Sequence, residues 1–252
     1  VSRGLGEVYK RQMVKSPWFE EEIPFDDPEI FKLMGSGHTA GVFQVESAGM
    51  TATIKNMKPT EYKHVVALIA LYRPGPLGAG MVSSYINRMN GKEPAVSYDD
   101  RLDDILGETY GTMVYQEQIM QVSMVMSGFS AGKADKLRKA MGKKKIDIMR
   151  LLQEDWNNGA VENGYSLDIA KKIWDDAEKF AKYAFNKSHA TCYSWVAYQT
   201  AYLKANYPSE YMAAVLSRNL TNIEQLTLYM NECKRMGCLL YTSPSPRDTE
   251  RS

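Results

Sequence analysis

Helix start signals recur along most of the chain, and they constrain its fold more than any other feature of the sequence. Asp27 followed by Pro28 places a capping residue before a first-turn proline, a combination that is typical of helix N-termini. Comparable capping or proline signals stand at Ser130, Ser166, Ser188, Pro208 and Asn222. Only residues 41–45, GVFQV, indicate a convincing short strand. The sequence therefore predicts a mainly α, multi-helical fold with at most a few short strands.

The start signals and the spacing of apolar residues also predict where the helices run. The predicted helices span residues 29–34, 47–57, 60–72, 81–89, 112–126, 131–141, 146–162, 167–183, 188–207, 208–218 and 223–235. The helix at 112–126 is rich in methionine, and we expect Met113, Met120, Met124 and Met126 to pack in the core.

Composition limits the class of protein. The chain has 252 residues, of which 44% are hydrophobic and 24% charged, as is typical of a globular protein of one or two domains. Its longest apolar run, residues 65–71, is far shorter than the roughly 18 to 20 residues of a membrane span, so no membrane contact is expected. Cys192, Cys233 and Cys238 form no paired framework, which favours a reducing compartment without structural zinc.

Basic residues concentrate in residues 128–145, GFSAGKADKLRKAMGKKK. From Lys133 onward this segment holds seven basic residues and one acid, Asp135, although the formal net charge of the chain is only +1. At about 100° per residue, Ala134, Leu137 and Met141 form an apolar stripe on the predicted helix. Lysines face the opposite side of that helix.

Arg138 projects onto the flank of this apolar stripe. Packing would hold its stem there and leave the donors of its guanidinium available to a phosphate or a carboxylate. The alternative is an ordinary solvated lysine face without a ligand. A nucleotide-binding loop of the Walker A type is excluded, because Gly128 and Gly132 enclose only three residues and Ala134 follows Lys133.

A second candidate anion site lies at residues 183–189, YAFNKSH. If Ser188 caps the following helix, then unpaired backbone N–H groups, Lys187 and His189 converge at one helix N-terminus, where phosphate binds readily.

Arg73 stands where Pro74 must end the preceding helix, so it is either aimed at a ligand or part of a simple turn. Four acids, Asp99, Asp100, Asp103 and Asp104, could suggest a Mg²⁺ site. They lie beside a predicted helix start, where acids are favoured for structural reasons, and we assign no metal site there.

The two ends of the chain resemble each other at the DNA level. One codon choice for residues 238–248, reverse complemented and shifted by one base, encodes SRGLGDVYKR, which differs from residues 2–11 only at Glu7. The shared word resembles a transposase adapter used in preparing sequencing libraries. We therefore expect residues 1–12 and 238–252 to be translated adapter, and residues 13–237 to be a native part that is truncated on both sides.

Five motifs resemble, in the same order and with similar spacing, the bacterial DNA polymerase III alpha subunit family of replicative, C-family polymerases. They are GVFQVES (41–47), ALYRPGPL (70–77), YGTMVYQEQIMQ (110–121), KADKLRKAMGKKK (133–145) and FNKSHA (185–190). The resemblance covers residues 23–237 and is greatest to the fingers region, a mainly helical part. The chain keeps the lysine-rich end of the fourth motif and the Asn186-Lys187 pair, which favours the replicative type over error-prone relatives.

The resemblance implies DNA-directed DNA polymerase activity in the parent protein. In this family the incoming dNTP is added to a primer 3′ end with two Mg²⁺ ions, which are held by aspartates of a palm region expected before the present start. No acid here stands in a matching motif, so we assign no catalytic residue and expect this chain alone to be inactive. The implied partners are primer-template DNA, dNTP, the sliding clamp and other replisome subunits, in the bacterial cytoplasm.

Site residues follow from the matching motifs. Arg138, Lys139, Lys187, Ser188 and His189 are expected to bind the nucleotide, although Lys139 stands where a second arginine is common, which argues against a bidentate clamp there. Contacts with DNA are expected from Arg73, Lys136, Lys143, Lys144 and Lys145. The competing hypothesis is a non-catalytic helical module that binds nucleic acid through the same basic surface.

Overall fold

The computed structural model describes residues 23–143, 145–181 and 183–238. The predicted adapter at 1–12, all of the one at 238–252 except Cys238, and Lys144 lie outside these residues. The described α-helices are α1 Pro28–Ser36, α2 Ala48–Met57, α3 Tyr62–Leu71, α4 Pro74–Gly78, α5 Met81–Met89, α6 Asp103–Leu106, α7 Gln116–Ser127, α8 Ala131–Gly142, α9 Ile146–Glu162, α10 Leu167–Ala181, α11 Lys187–Asn206, α12 Pro208–Arg218 and α13 Ile223–Arg235.

The mainly α prediction is confirmed, and most predicted caps form. The Asp27 side chain accepts a hydrogen bond from the Glu29 N–H, Ser130 accepts one from the Lys133 N–H, and Asn222 accepts one from the Gln225 N–H. These bonds satisfy backbone donors that a helix cannot pair internally. Short-range signals were therefore sufficient to place these helix starts.

The predicted strand at residues 41–45 is wrong. This segment is a series of turns, in which Gly41 and Gln44 have φ angles of 80° and 64°. Val42 and Val45 are both fully buried, three positions apart, so the turns bury two apolar residues on one side without the alternation of a strand. In the described part of the chain, the one β-type pairing outside helices is an isolated parallel bridge between Tyr115 and Phe185.

The methionine-rich helix begins later than predicted. Residues 112–115 are buried and extended, and α7 starts at Gln116 because the Gln118 side chain accepts hydrogen bonds from the N–H groups of Val114 and Tyr115, both at 2.9 Å. The core prediction also fails for Met124, which is 42% exposed.

The helices enclose two main apolar cores. The first is built from α1, α2, α3, α5 and α11 and includes Ile54, Leu68 and Tyr198. The second is built from α6 to α10 and is centred on Trp156 and Trp174, whose ring centroids lie 5.5 Å apart. The two cores meet at residues 113–119, at Phe180 and at residues 183–185, where neighbouring residues of one segment belong to different cores.

A smaller cluster joins α12 and α13 through Tyr211, Met212, Tyr229 and Cys233. Beside it, fully buried Lys204 of α11 pairs with Glu232 of α13 at 2.7 Å. Among the described residues, no helix combines the length and the apolar character that crossing a bilayer requires.

Candidate functional site

The candidate site lies where the two main cores meet, and its frame is a short backbone junction. The Gln116 N–H donates to the Phe185 carbonyl at 2.9 Å, and the Phe185 N–H donates to the Val114 carbonyl at 3.1 Å. The residues that precede α7 and those that precede α11 therefore run side by side. This junction places the start of α11 next to the start of α7, and α8 packs against α7.

Arg138 reaches this junction from α8. Its Nη1 donates to Gln116 Oε1 at 2.9 Å, while Nε and Nη2 donate to Asp135 Oδ1 at 3.0 and 2.8 Å. The side chain is 29% exposed. The predicted position on the flank of the apolar stripe is confirmed, but the guanidinium is already engaged with two side chains of the protein.

Asp135 is shared between two cations. Lys139 Nζ lies 2.6 Å from Asp135 Oδ2, on the oxygen that Arg138 does not contact. Hydrogen bonds from Lys139 and then Arg138 lower the pKa of the Asp135 carboxyl below its ordinary value. The single acid of the basic segment thus pairs with two of the five residues that were predicted to bind nucleotide, Arg138 and Lys139.

A pocket of about 300 Å³ opens beside Arg138, between α8 and the junction. It is lined by Gln116, Ile119, Arg138, Lys139, Gly142, Lys143 and Ala184. Among the described residues, this lining includes three basic side chains and no carboxylate. A pocket of this character is suited to a polyanion such as a phosphate chain.

The start of α11 differs from the prediction. The cap is Asn186, whose Oδ1 accepts from the His189 N–H at 2.8 Å, and the helix begins at Lys187, so the capping role predicted for Ser188 is wrong. The Lys187 N–H donates to Glu117 Oε2 at 3.0 Å. The predicted anion position at this helix N-terminus is therefore occupied by a carboxylate of the protein itself.

The side chain of Lys187 is also paired. Its Nζ lies 2.6 and 2.9 Å from the two carboxylate oxygens of Glu108 and 5.4 Å from the centre of the Tyr115 ring. Lys187 does not line the pocket beside Arg138. The structure brings Arg138 and Lys187 to the same junction but not into the same described pocket.

Ser188 and His189 are exposed on the first turn of α11. The His189 ring lies between Phe185 and Tyr193, with ring centroids 5.4 and 4.4 Å away.

Arg73 lies between α3 and α4. Its Nε donates to the Ala70 carbonyl at 2.8 Å, its Nη2 donates to the Tyr183 carbonyl, and the guanidinium lies over the Phe185 ring at 4.4 Å. Of the two interpretations left open by the sequence, these contacts favour a structural role, because they tie the end of α3 to the junction.

The predicted DNA-contacting lysines lie on the outer face of α8 and just beyond it. Lys136, Lys143 and Lys145 are exposed and, together with Lys139, line a shallow depression of about 340 Å³. Lys144, the fourth of these predicted lysines, lies outside the described residues.

The acids at 99–104 serve the local fold. Asp99 caps a short 3₁₀ turn by accepting from the Arg101 N–H, and its carboxylate pairs with the Arg101 side chain at 2.7 Å. Across residues 23–143, 145–181 and 183–238, no three His, Cys, Asp or Glu side chains come together in a way that could hold a metal ion. The described acids therefore do not fit the two Mg²⁺ ions that the resemblance implies.

Sequence reasoning missed four residues that organise this site. Gln116 and Glu117 connect the junction to Arg138 and to α11, while Asp135 and Glu108 pair with the cations. Gln116 and Glu117 lie within the YGTMVYQEQIMQ motif, which was the available signal. Glu108 is 79 positions from Lys187 and gave none.

Comparisons with known proteins agree with the motifs. Residues 6–164 match the family model described as the bacterial DNA polymerase III alpha subunit finger domain. Over 216 residues, 86% of this chain and 18% of the relative, the chain is 49% identical to DNA polymerase III subunit alpha of Aquifex aeolicus (strain VF5).

Two further relatives with the same name are similarly close. Identity is 46% over 221 residues to the protein of Escherichia coli (strain K12), covering 85% of this chain and 19% of the relative. For the protein of Thermus aquaticus it is 44% over 238 residues, covering 92% and 19%. The chain thus spans about a fifth of the length of the curated relatives it matches.

Proposed function

Because the chain belongs to the bacterial DNA polymerase III alpha subunit finger domain family, we propose that it is the fingers region of a replicative DNA-directed DNA polymerase. In this proposal it binds the triphosphate of the incoming dNTP and the primer-template DNA during templated nucleotidyl transfer. The observation that carries the proposal is the pocket beside Arg138, with three basic side chains in its lining and Asp135 behind two of them.

The pocket suggests a division of roles among the cations. Arg138 presents a planar fork whose orientation is set by Asp135 and Gln116, so it suits a fixed contact with a phosphate oxygen. Lys139, with a side chain 60% exposed, and exposed Lys143 are compact point charges that can contact the rest of the triphosphate. Lys187, Ser188 and His189 would meet the nucleotide from the other side of the junction.

The outer lysines suit the DNA backbone. Lys136, Lys143 and Lys145 are exposed on one surface, and such groups contribute affinity that is largely independent of sequence and sensitive to salt. Lys144 remains in the proposal as a DNA contact, and Arg73 as a weaker one, because its guanidinium already donates to two backbone carbonyls.

The chemistry itself is assigned to other parts of the polymerase. We propose that aspartates outside this chain hold the two Mg²⁺ ions, and that this chain alone does not extend a primer. Contacts with the sliding clamp and other replisome subunits are likewise assigned to other parts, and the whole enzyme to the bacterial cytoplasm.

Substitution of Arg138 in a full-length polymerase that carries this region tests the proposal. Arg138→Ala is expected to raise the KM for dNTP about 10- to 100-fold, since it removes charge-assisted hydrogen bonds to phosphate. The matched control is Arg150→Ala, which removes an exposed arginine from α9. Steady-state primer extension over a range of dNTP concentrations gives the result, and an unchanged KM for Arg138→Ala would contradict the nucleotide role.

The exposed lysines also favour a second candidate, a non-catalytic helical module that binds nucleic acid. Both candidates predict salt-dependent binding of this chain to DNA. They differ for the full-length protein, which extends a primer under the first and does not under the second. Primer extension by the full-length protein, with this chain alone assayed beside it, therefore separates them.

A further inference from the structure

Gln116 and Glu117 are adjacent residues that each bind a different part of the candidate site. Gln116 contacts Arg138 of α8, and Glu117 contacts the first turn of α11. We propose that they are positioning residues, which hold the Arg138 guanidinium in a fixed place relative to the start of α11. This inference rests on the proposed nucleotide-binding function.

The amide of Gln116 is oriented by its own partners. Its Nε2 donates to the Ala184 carbonyl at 3.3 Å, while its backbone N–H donates to the Phe185 carbonyl at 2.9 Å. With Nε2 directed at a carbonyl, Oε1 is left as an acceptor, and it receives the Arg138 Nη1–H. The bonds to residues 184 and 185 therefore fix the Gln116 amide, and the amide in turn fixes the Arg138 guanidinium.

Glu117 completes the connection on the other side. Its Oε1 accepts from Asn186 Nδ2 at 2.8 Å, and its Oε2 accepts from the Lys187 N–H at 3.0 Å. One bond goes to the cap of α11 and the other to its first residue. A carboxylate that accepts from a helix N-terminus is favoured electrostatically, so this attachment is strong for a partly exposed contact.

The location explains why such a connection is needed. Arg138 is anchored through Leu137 and Met141 in the second core, whereas α11 packs through Ala190 and Tyr198 in the first. Two cores that meet at a seam can shift relative to each other. Residues 116 and 117 span this seam, so they determine whether the cations of α8 and α11 keep a constant spacing.

A double-mutant cycle in a full-length polymerase that carries this region tests the inference. Gln116→Met, close in size to glutamine but unable to make either hydrogen bond, is expected to raise the KM for dNTP about 5- to 10-fold and to change kcat little. In an Arg138→Ala background the same change is expected to raise KM by less than about twofold, because Gln116 acts through Arg138. Gln121→Met, at an exposed position of the same helix, is the matched control.

The outcomes are separable from those of the proposed function. If Arg138→Ala raises KM but Gln116→Met has no effect, or an equal effect with and without Arg138, the positioning role is wrong and the function stands. If Arg138→Ala leaves KM unchanged, both fail. Gln116→Ala, which needs no new space in the protein, is run through the same cycle, so a folding defect of the methionine variant does not remove the test.

Substitution of Glu117 is a second test of the inference. Glu117→Gln keeps one acceptor but loses the charge at the start of α11, and it is expected to raise the KM for dNTP about 2- to 5-fold, again with a smaller effect in the Arg138→Ala background. A fall in KM would overturn the inference, because it would mean that the carboxylate competes with the nucleotide instead of positioning its ligands.

Discussion

The start of α11 and the outer face of α8 both look basic in the sequence, but their charges have different partners in the structure. At the start of α11, Lys187 is paired with Glu108 and its N–H with Glu117. On the outer face of α8, Lys136 and Lys143 are exposed, and no carboxylate among the described residues pairs with them. The count of basic residues therefore does not show how much positive charge is open to a ligand.

The difference comes from the sequence distance between partners. Lys139 pairs with Asp135 four residues earlier on the same helix, a contact that can be anticipated from helical spacing. Lys187 pairs across 79 positions and Lys204 across 28, and only tertiary packing creates these contacts. Pairs between residues this far apart in the chain therefore cannot be predicted from helical spacing.

The largest expected effect is on stability and concerns Lys204, whose ammonium group is bonded entirely within the protein. Lys204 is fully buried, and its Nζ donates to the carbonyls of His38 and Ala40 and to Glu232, each at 2.7 Å. Lys204→Ala removes these bonds and is expected to lower the free energy of unfolding by about 3 to 5 kcal/mol. Urea denaturation measures this, with exposed Lys136→Ala as a control that should change it by less than about 0.5 kcal/mol. A loss below about 1 kcal/mol for Lys204→Ala would contradict the importance of the buried pair.

The exposed lysines of α8 and of the residues just after it are expected to determine the salt dependence of DNA binding. Changing Lys136, Lys143 and Lys145 together to alanine should reduce the slope of log K against log salt by about 2 to 3, since each neutralised phosphate contributes about one unit. Arg73→Ala should change the slope by much less, because the guanidinium already donates to two backbone carbonyls. Fluorescence anisotropy at several salt concentrations gives both slopes. If Arg73→Ala changed the slope as much as the removal of one exposed lysine, internally bonded and exposed cations would not differ in their contribution to DNA binding.

Acid should weaken the buried pair of α11 and α13. Burial opposes ionisation of Glu232, but hydrogen bonds from Arg235 and Lys204 outweigh it and lower its pKa from 4.5 to about 2. A folded-state pKa below the unfolded one stabilises the protein above about pH 4.5, and this contribution is lost as the pH falls towards 2. The free energy of unfolding should therefore decline over this range, and less steeply in Glu232→Gln. If the free energy of unfolding fell equally with pH in wild type and Glu232→Gln, Glu232 would not be the group responsible for the acid sensitivity.

The smallest expected effect is on nucleotide affinity and comes from removing the carboxylate partner of Lys187. Glu108→Gln removes the charge that pairs with Lys187, and the affinity of the full-length polymerase for dNTP should rise about 2- to 5-fold if Lys187 faces the nucleotide. The control is Glu178→Gln, which changes an exposed acid on α10. The KM for dNTP measures the effect, and equal values for wild type and Glu108→Gln would place Lys187 outside the nucleotide site.

Much of the fold followed from local patterns. The bounds of α5, α9, α12 and α13 agree with the predicted helices because capping residues, prolines and apolar spacing act over a few positions. The turns at 41–45 and the extended start of α7 were not predicted. In both, contacts with residues elsewhere in the fold override the local preference: the Phe43 N–H donates to Thr200 Oγ1, and the Phe185 N–H donates to the Val114 carbonyl.

For the candidate site, the sequence alone determined the family, the helices that carry the basic residues and the position of Arg138 beside an apolar stripe. All of these depend on motifs or on the 3.6-residue period of a helix. Only the tertiary structure decided which cations are open, because Glu108, Glu117 and Gln116 reach their partners across the seam between two cores. Electrostatic partners are set by distance in space, and for these pairs that distance is unrelated to their separation along the chain.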